Sequence, residues 1–217
     1  MSKIGIIAGS TGLVGSLLLS QMLGDDRYAQ VISLVRKKSN LSDPKLQEII
    51  VDFDDLQSYT EHIVGDDLFL CIGTTMANAG SKEAFYKVDY TYNVELAKMA
   101  HKNGIKNLCL ISSMGANAAS HIFYSKVKGQ IEDAITALNF KKTVIVRPSL
   151  LVGDRKEYRF GEKIGIFLSS FLNPLLIGGL RKYRSIKAEK VAHAMIKSSN
   201  LNQDGLIILE SDLIQNY

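Results

Sequence analysis

The sequence predicts an α/β protein with a doubly wound parallel sheet. Short apolar runs alternate with longer segments of helical periodicity, the order that right-handed strand–helix–strand units produce. The short runs are apolar on both faces, which is typical of parallel strands covered by helices on either side. The first such run, over 3–9, leads directly into a glycine-rich turn and a helix.

The remaining elements follow in regular order along the first 150 residues. Strands are predicted over 3–9, 29–36, 46–53, 67–73, 106–113 and 142–149, and helices from the glycine turn to Gly24 and over 56–64, 81–104 and 122–138. Beyond Ser149 the pattern loosens into an irregular helix over 160–176, a regular one over 187–200 and a last strand over 205–210. We therefore expect a single domain over 1–217, in which a small substrate-side region, 150–185, forms a pocket or lid.

Composition is that of an ordinary globular protein, with 46% hydrophobic residues and a net charge of +4. The basic residues are scattered, so no nucleic-acid groove is expected. The longest apolar segment, 164–180, is interrupted by polar residues, which argues against a membrane span. Cys71 and Cys109 lie in strand-like runs without metal-ligand spacing and are predicted to be buried free thiols. These features, with no apolar leader, predict a cytoplasmic protein that holds no metal.

A phosphate-binding turn is predicted in the stretch AGSTGLVG. Its glycines, Gly9, Gly12 and Gly15, follow a G-x-x-G-x-x-G spacing. One glycine permits the tight turn, the next lets backbone approach a pyrophosphate, and the third lets the helix pack on the strand. The hydroxyls of Ser10 and Thr11 could bond a phosphate or cap the helix. Because a strand precedes the turn and a helix follows it, a Rossmann-like dinucleotide cradle is favoured over a structural turn.

The residues after the second strand indicate which dinucleotide is bound. Proteins that bind NAD usually carry an acidic residue there for the ribose 2′-hydroxyl, whereas this chain has Arg36 and Lys37. Since cations suit a 2′-phosphate, NADP(H) is preferred and NAD(H) is the alternative. Asp52 and Phe53 could flank the adenine, although Asp52 could equally cap the next helix. After the fourth strand, three further residues are expected along the cofactor: Gly73, Thr74 and Thr75.

The candidate chemistry lies where the fifth strand ends and the next helix begins. Tyr124 and Lys128 are four residues apart and therefore share one helix face. A cation beside a phenol favours the phenolate, and such a tyrosine can protonate a carbonyl oxygen as hydride reaches the carbon. Ser113 at the strand end could hydrogen-bond the same oxygen, with Ser112 as the adjacent alternative.

Two further observations bear on this set. The Tyr-x-x-x-Lys spacing is common, and Tyr183 with Lys187 also matches it. That second pair lacks a preceding strand that ends in serine, so we interpret it as accidental. Asp89 and Asn93, one turn apart on the long helix, could organise the surroundings of the site.

Together, the stretches GSTGLVG, ISSMGA, YSKVK and VRPSLLVGDR resemble the short-chain dehydrogenase/reductase superfamily, especially its atypical or extended branch. VDFDDL, CIGTT and VDYTYNVELAK are similar to stretches of the Tat-interacting-protein oxidoreductase group, which are small NADPH-binding proteins. The resemblance covers nearly the whole chain. It implies a Rossmann fold and a catalytic set of Ser113, Tyr124 and Lys128, in which Lys128 also bonds the nicotinamide ribose.

The resemblance also implies the cofactor contacts. Around the pyrophosphate it places Gly9, Ser10, Thr11, Gly12, Leu13, Val14 and Gly15. Arg36 and Lys37 would lie near the 2′-phosphate. The nicotinamide would be bordered by Arg147, Pro148, Ser149 and Leu150, where the group commonly has glycine in place of Ser149.

We therefore expect an NADP(H)-dependent oxidoreductase that transfers hydride to or from a small carbonyl or alcohol. Two alternatives stay open: a non-catalytic NADP(H) sensor that regulates a partner, and an epimerase or dehydratase that retains NAD. The expected partners are an unidentified small-molecule substrate and, in a homodimer, a second copy, without nucleic acid or membrane.

Overall fold

Nine strands define the framework of the protein in a computed structural model that describes residues 2–153 and 178–217. They are β1 (Lys3–Ala8), β2 (Tyr28–Val35), β3 (Leu46–Ile50), β4 (Asp67–Leu70), β5 (Asn107–Ile111), β6 (Lys142–Arg147), β7 (Leu151–Val152), β8 (Ile186–Lys187) and β9 (Gly205–Glu210). Seven of them form one sheet in the order β3-β2-β1-β4-β5-β6-β9, with every neighbouring pair parallel. The strand order reverses between β1 and β4, which is where doubly wound sheets bind ligands. The predicted fold class is confirmed.

Helices cover both faces of this sheet. They are α1 (Leu13–Leu23), α2 (Met76–Ala79), α3 (Lys82–Tyr86), α4 (Tyr92–Lys102), α5 (Phe123–Thr136), α6 (Ala188–Ser199) and α7 (Ser211–Ile214), with 3₁₀ turns at Leu56–His62 and Gly178–Tyr183. A π-helical turn, Lys87–Thr91, joins α3 to α4 without a break, so the helix predicted over 81–104 is present with one wider turn. None of the helices in the described ranges is long and apolar enough to cross a membrane.

The core is divided between the two faces of the sheet. Neighbouring residues of a strand point to opposite faces, so Ile6 belongs to the core beneath α4 and α5, and Ile7 to the core beneath α1 and α6. Both are fully buried. This two-sided burial explains why the strands are apolar without alternation. Cys71 and Cys109 are both free thiols, as predicted, and Cys109 is buried in the second core. The predicted burial of Cys71 is only partial, because this residue lies past the end of β4 and is half-buried.

The main differences from the sequence prediction lie at the carboxyl ends of the strands. β3 to β6 each end two or three residues earlier than predicted, because the chain leaves the sheet there to form the loops of the candidate site. The segment predicted as a helix over 56–64 is a 3₁₀ turn. The short pair β7–β8 was not predicted. The irregular helix predicted over 160–176, and most of the region 150–185, lie outside the described residues.

Helix α5 is pressed against the loop that precedes it. A Cβ atom on Gly129 would lie 2.0 Å from the backbone nitrogen of Ala118 and 2.2 Å from the carbonyl carbon of Asn117. Only glycine permits this approach, because both neighbours are backbone atoms that cannot rotate away. The contact fixes how close α5, which carries Tyr124 and Lys128, comes to the end of β5.

We expect Gly129→Ala to lower the free energy of unfolding by about 1–3 kcal/mol, because α5 must move off the loop. The measurement is urea unfolding followed by circular dichroism. Gly24→Ala is the matched control: its Cβ would find only contacts of 3.8 Å, so we expect unchanged or slightly higher stability. Equal stabilities of the two variants would contradict the close packing.

Candidate functional site

The glycine turn after β1 is shaped by close backbone contacts. Gly9 has a φ of +91°, and a Cβ there would lie 2.5 Å from the backbone of Cys71. A Cβ on Gly15 would lie 2.1 Å from the carbonyl oxygen of Gly9. Gly12, by contrast, is exposed and has only that oxygen, at 3.4 Å, near its missing side chain. The first and third glycines are therefore required by packing, and the second leaves open space at the start of α1.

The other residues of this turn differ in their burial and in their hydrogen bonds. Ser10 is buried and its hydroxyl accepts a 2.7 Å hydrogen bond from Ser33, whereas Thr11 is exposed. The residue that caps α1 is Gly12, with no side-chain cap, so the idea that a serine or threonine hydroxyl caps this helix is wrong. Val14 is buried in the core, and the half-buried Leu13 packs against it.

The start of α1 fits a phosphate group. Its first turn contains no acidic residue, so the partial positive charge of the helix end is not compensated by the helix itself. Free backbone N–H groups at such an end bind anions. With the open space at Gly12, the turn matches the shape and charge of a pyrophosphate cradle.

The adenosine side of the candidate site lies at the ends of β2 and β3. Arg36 and Lys37 directly follow β2 and are exposed, and no ion pair engages either of them within the described residues. The ring of Phe53 is half-buried and lies 5.5 Å from that of Tyr92. Asp52 is exposed and its carboxylate accepts from the backbone nitrogen of Asp54, in the turn before the 3₁₀ segment. The alternative in which Asp52 caps that segment is wrong, because the cap residue is Asp55.

The loop after β4 is fixed by two side-chain hydrogen bonds to backbone nitrogens. The backbone nitrogen of Thr74 donates to Asp89 Oδ2 at 2.8 Å. Thr75 caps α2, since its hydroxyl accepts from the backbone nitrogen of Asn78 at 3.1 Å. Gly73 is exposed, and a Cβ there would lie 3.3 Å from Asp89 Oδ1. The structure thus places the predicted Gly73–Thr75 stretch beside an acidic residue of the long helix.

Tyr124 and Lys128 come together on α5, as their spacing predicts. Lys128 Nζ lies 6.0 Å from the centre of the Tyr124 ring, which is 38% exposed and packs beside Phe85. Lys128 itself is buried, and its Nζ is 2.7 Å from Asp89 Oδ1. Burial alone would lower the pKa of Lys128, but the Asp89 carboxylate, with Tyr124 and Glu132, holds it above the usual value. The lysine is therefore a buried, fully charged group.

The two candidate serines have different surroundings. Ser112 is buried, and its hydroxyl donates to the carboxylate of Glu132. The Ser113 side chain is half-buried, and within the described residues its hydroxyl makes only a long hydrogen bond, 3.3 Å, to the carbonyl oxygen of Met114. Ser112 is therefore engaged in the protein interior, whereas the Ser113 hydroxyl is partly exposed at the end of β5.

A partly buried ionic cluster adjoins Ser112 through Glu132. Arg147 Nη2 is 2.5 Å from Glu132 Oε2 and its Nη1 is 2.9 Å from Glu210 Oε1, so the guanidinium joins α5, β6 and β9. These carboxylates raise the pKa of Arg147 against the opposing effect of burial. The sequence offered no local signal for this cluster, because its members are 15 and 63 residues apart.

The segment after β6 was predicted to border the nicotinamide. Pro148 is buried, and Leu150 is 39% exposed. The Ser149 hydroxyl accepts from Ser211 at 2.9 Å and donates to the carbonyl oxygen of Arg184. A serine is thus accommodated at this point by hydrogen bonds that tie β6 to the C-terminal part of the chain.

The second Tyr-x-x-x-Lys match does not form a comparable pair. Tyr183 ends the 3₁₀ turn Gly178–Tyr183, whereas Lys187 belongs to strand β8. The two side chains share no helix face, which confirms that this match is accidental.

Comparison with known proteins identifies the family. Residues 9–201 match the family described as NAD(P)H-binding. "Protein FMP52, mitochondrial" of Candida albicans is 37% identical over 182 residues, 81% of this chain and 80% of that protein. "Protein HTATIP2" of Rattus norvegicus is 34% identical over 165 residues, 74% of this chain and 68% of that protein.

This chain belongs to the NAD(P)H-binding, atypical short-chain dehydrogenase/reductase family. Solved structures show the same fold. A short chain dehydrogenase family protein of Francisella tularensis superposes with a TM-score of 0.70 at 15% identity, over 99% of this chain and 100% of that one. The enzyme WbmH of Bordetella bronchiseptica, in complex with NAD+, gives a TM-score of 0.73 at 15% identity, over 97% of this chain and 76% of that one.

The expected cytoplasmic location is contradicted by the relatives of this short-chain dehydrogenase/reductase. The proteins of Candida albicans and of Aspergillus clavatus, the latter 34% identical over 98% of this chain, are both named mitochondrial. Buried free thiols are compatible with any reducing compartment. The cysteines therefore could not distinguish the cytoplasm from another such compartment.

We expect Glu132→Gln to lower the free energy of unfolding by about 3 kcal/mol, because the partly buried Arg147 loses its bidentate partner. Urea unfolding measures the change. Glu189→Gln, on the exposed first turn of α6, is the control and should stay within about 0.5 kcal/mol of the unaltered protein. If Glu132→Gln is as stable as Glu189→Gln, the Arg147 cluster does not stabilise the site.

Proposed function

We propose that the protein is an NADP(H)-dependent oxidoreductase that interconverts a small carbonyl compound and its alcohol. The observation that carries the proposal is the pairing of Tyr124 with the buried, charged Lys128, at the edge of the sheet where the glycine turn opens. Perturbed, buried charges beside a ligand cradle are typical of catalytic sites. A dinucleotide-binding fold alone would not require this pair.

Each residue has a defined part in the proposed reaction. When bound, the nicotinamide ring supplies or accepts the hydride. Tyr124 gives a proton to the carbonyl oxygen, or takes one from the alcohol, through its hydroxyl. Ser113 donates a hydrogen bond to the same oxygen. Lys128 offers its ammonium hydrogens to the nicotinamide ribose, and the backbone of the Gly9–Gly15 turn holds the pyrophosphate.

The preference for NADP(H) rests on the charges at the end of β2. Arg36 and Lys37 are exposed, and they stand where a carboxylate would bind the 2′-hydroxyl of NAD. A guanidinium can hold a phosphate with two parallel hydrogen bonds. The same cations offer nothing specific to an unphosphorylated ribose.

We expect Tyr124→Phe to reduce turnover by about 10²–10⁴-fold, because the substitution removes the hydroxyl that is proposed to move the proton. A panel of small aldehydes and ketones is assayed by the loss of NADPH absorbance. Tyr183→Phe, from the accidental match, is the control and should retain full activity. Undiminished turnover in Tyr124→Phe would exclude its catalytic role, and NADPH binding without turnover of any compound would favour the non-catalytic sensor.

We expect Arg36→Glu to weaken NADPH binding by about tenfold or more and NADH binding far less, since a charge-assisted contact to the 2′-phosphate is lost. Affinities are measured by fluorescence titration. Lys102→Glu, an equal charge change at the end of α4, is the control and should alter neither affinity. A parallel loss for both nucleotides would refute the 2′-phosphate contact.

A further inference from the structure

Three separate segments of the chain meet at one carboxylate. Asp89, only 1% exposed, accepts at Oδ2 from the backbone nitrogen of Thr74, and its Oδ1 lies 2.7 Å from Lys128 Nζ. The contact of Oδ1 with the ammonium is a close ion pair between two buried side chains. One side chain thus connects the loop after β4, the long helix and α5.

The local structure holds Asp89 firmly in this place. It lies in the π turn Lys87–Thr91, whose wider winding interrupts the regular helical hydrogen bonds, and such turns are frequent at functional sites. The amide of the fully buried Asn93 donates to the carbonyl oxygens of Val88 and Asp89 and also to that of Ile72. Asn93 therefore satisfies carbonyl groups of the turn and ties it to the end of β4.

The missing side chain of Gly73 leaves the pair accessible from one side. A Cβ on Gly73 would lie 3.3 Å from Asp89 Oδ1 and 3.8 Å from Lys128 Nζ, closer to the carboxylate than most side-chain contacts. Gly73 itself is exposed, although the ion pair beneath it is buried. A ligand that lies along the Gly73–Thr75 loop would therefore reach the ammonium.

The charge environment makes Asp89 the main partner of this lysine. The other titratable groups that act on the ammonium are Tyr124 and Glu132, both on α5, and Glu132 is itself held by Arg147. From the loop after β4, Gly73 faces the pair without a side chain, and Thr74 donates its backbone N–H to Asp89. Without Asp89, the cation would be buried with no close counter-ion, which is strongly unfavourable.

We propose that Asp89 is the positioning residue of the site: it keeps Lys128 charged and directs the ammonium toward the nicotinamide ribose, while it fixes the Thr74 backbone on the same carboxylate. The inference rests on the proposed cofactor contact of Lys128. It assigns to the π turn a role in cofactor binding, in addition to its part in the fold.

The test is the pH dependence of NADPH affinity in Asp89→Asn, which keeps the side-chain size and an oxygen for Thr74 but removes the charge. Fluorescence titrations run from about pH 7 to about pH 9.5, below the usual pKa of lysine. In the unaltered protein we expect less than about twofold change, because Lys128 stays protonated. In Asp89→Asn the pKa of the buried lysine falls, the ammonium loses its proton as pH rises, and affinity drops by about tenfold or more.

Two variants control for a merely structural effect. Asp89→Glu retains the charge, so its affinity should be independent of pH even if it is weaker throughout. Glu95→Gln removes the partner of an exposed lysine, Lys98, 2.8 Å away on α4, and should behave as the unaltered protein does. A pH-independent affinity in Asp89→Asn would overturn the proposal, whereas failure of the unaltered protein to bind either nucleotide would overturn the proposed function itself.

If Asp89→Asn does not fold, the double variant Asp89→Asn/Lys128→Met decides the matter. Removing the stranded cation should restore the cooperative thermal unfolding that the single variant lacks. A double variant that also fails to fold would show that the fold needs the Asp89 carboxylate whether or not Lys128 is charged, and would overturn the assignment to Lys128.

Discussion

The backbone contact between Gly15 and the carbonyl oxygen of Gly9 is the constraint on which the candidate site depends. Because neither residue has a side chain, α1 begins directly against the end of β1. A Cβ atom added to Gly15 would lie only 2.1 Å from the carbonyl oxygen of Gly9, so no other residue fits there. This approach places the positive end of α1 at the carboxyl edge of the sheet. Since β1 pairs with β2 on one side and β4 on the other, Arg36 and Gly73 flank the same turn. The close contact between Gly15 and Gly9 therefore brings the glycine turn next to Arg36 on one side and to the loop after β4 on the other.

Buried charges have different roles at the amino ends and at the carboxyl ends of the parallel strands. At the amino edge, Asp67 accepts hydrogen bonds from Lys3, Tyr28 and Asn107, so the first residues of four strands share one carboxylate. That network joins neighbouring strands in register, and its polar groups are taken up by one another. At the carboxyl edge, the Asp89–Lys128 pair and the Arg147 cluster join helices to strand ends. Buried ion pairs are seldom more stabilising than apolar contacts of equal size, so we interpret the pairs beside the glycine turn as positioning side chains more than adding stability.

The features that the sequence predicted are those encoded by neighbouring residues. The alternation of strands and helices, the glycine turn and the shared face of Tyr124 and Lys128 all follow from spacings within one or two elements. The partners of Lys128, Ser112 and Arg147 did not follow, because each lies on another element and becomes a neighbour only when the sheet assembles. The strand ends were overestimated because residues such as Val51 and Ile72 pack against the core after the last paired residue and continue the apolar run. Periodicity cannot separate such residues from the strand. Cellular location has no counterpart in packing at all.

The carboxylate of Asp89 also changes the physical role of Lys128. Sequence reasoning treats the lysine as an isolated cation beside a phenol, whose field falls slowly with distance. In the structure the negative charge lies 2.7 Å from Nζ, whereas the centre of the Tyr124 ring lies 6.0 Å away. Seen from the ring, the pair is closer to a dipole than to a single charge, and its field falls faster. The ammonium of Lys128 contacts one carboxylate and still has hydrogens that can be donated to a ligand. The packing of the helices determines the direction in which those hydrogens point. We therefore expect Lys128 to act mainly on the ribose, through direct hydrogen bonds, and less on the tyrosine through its field.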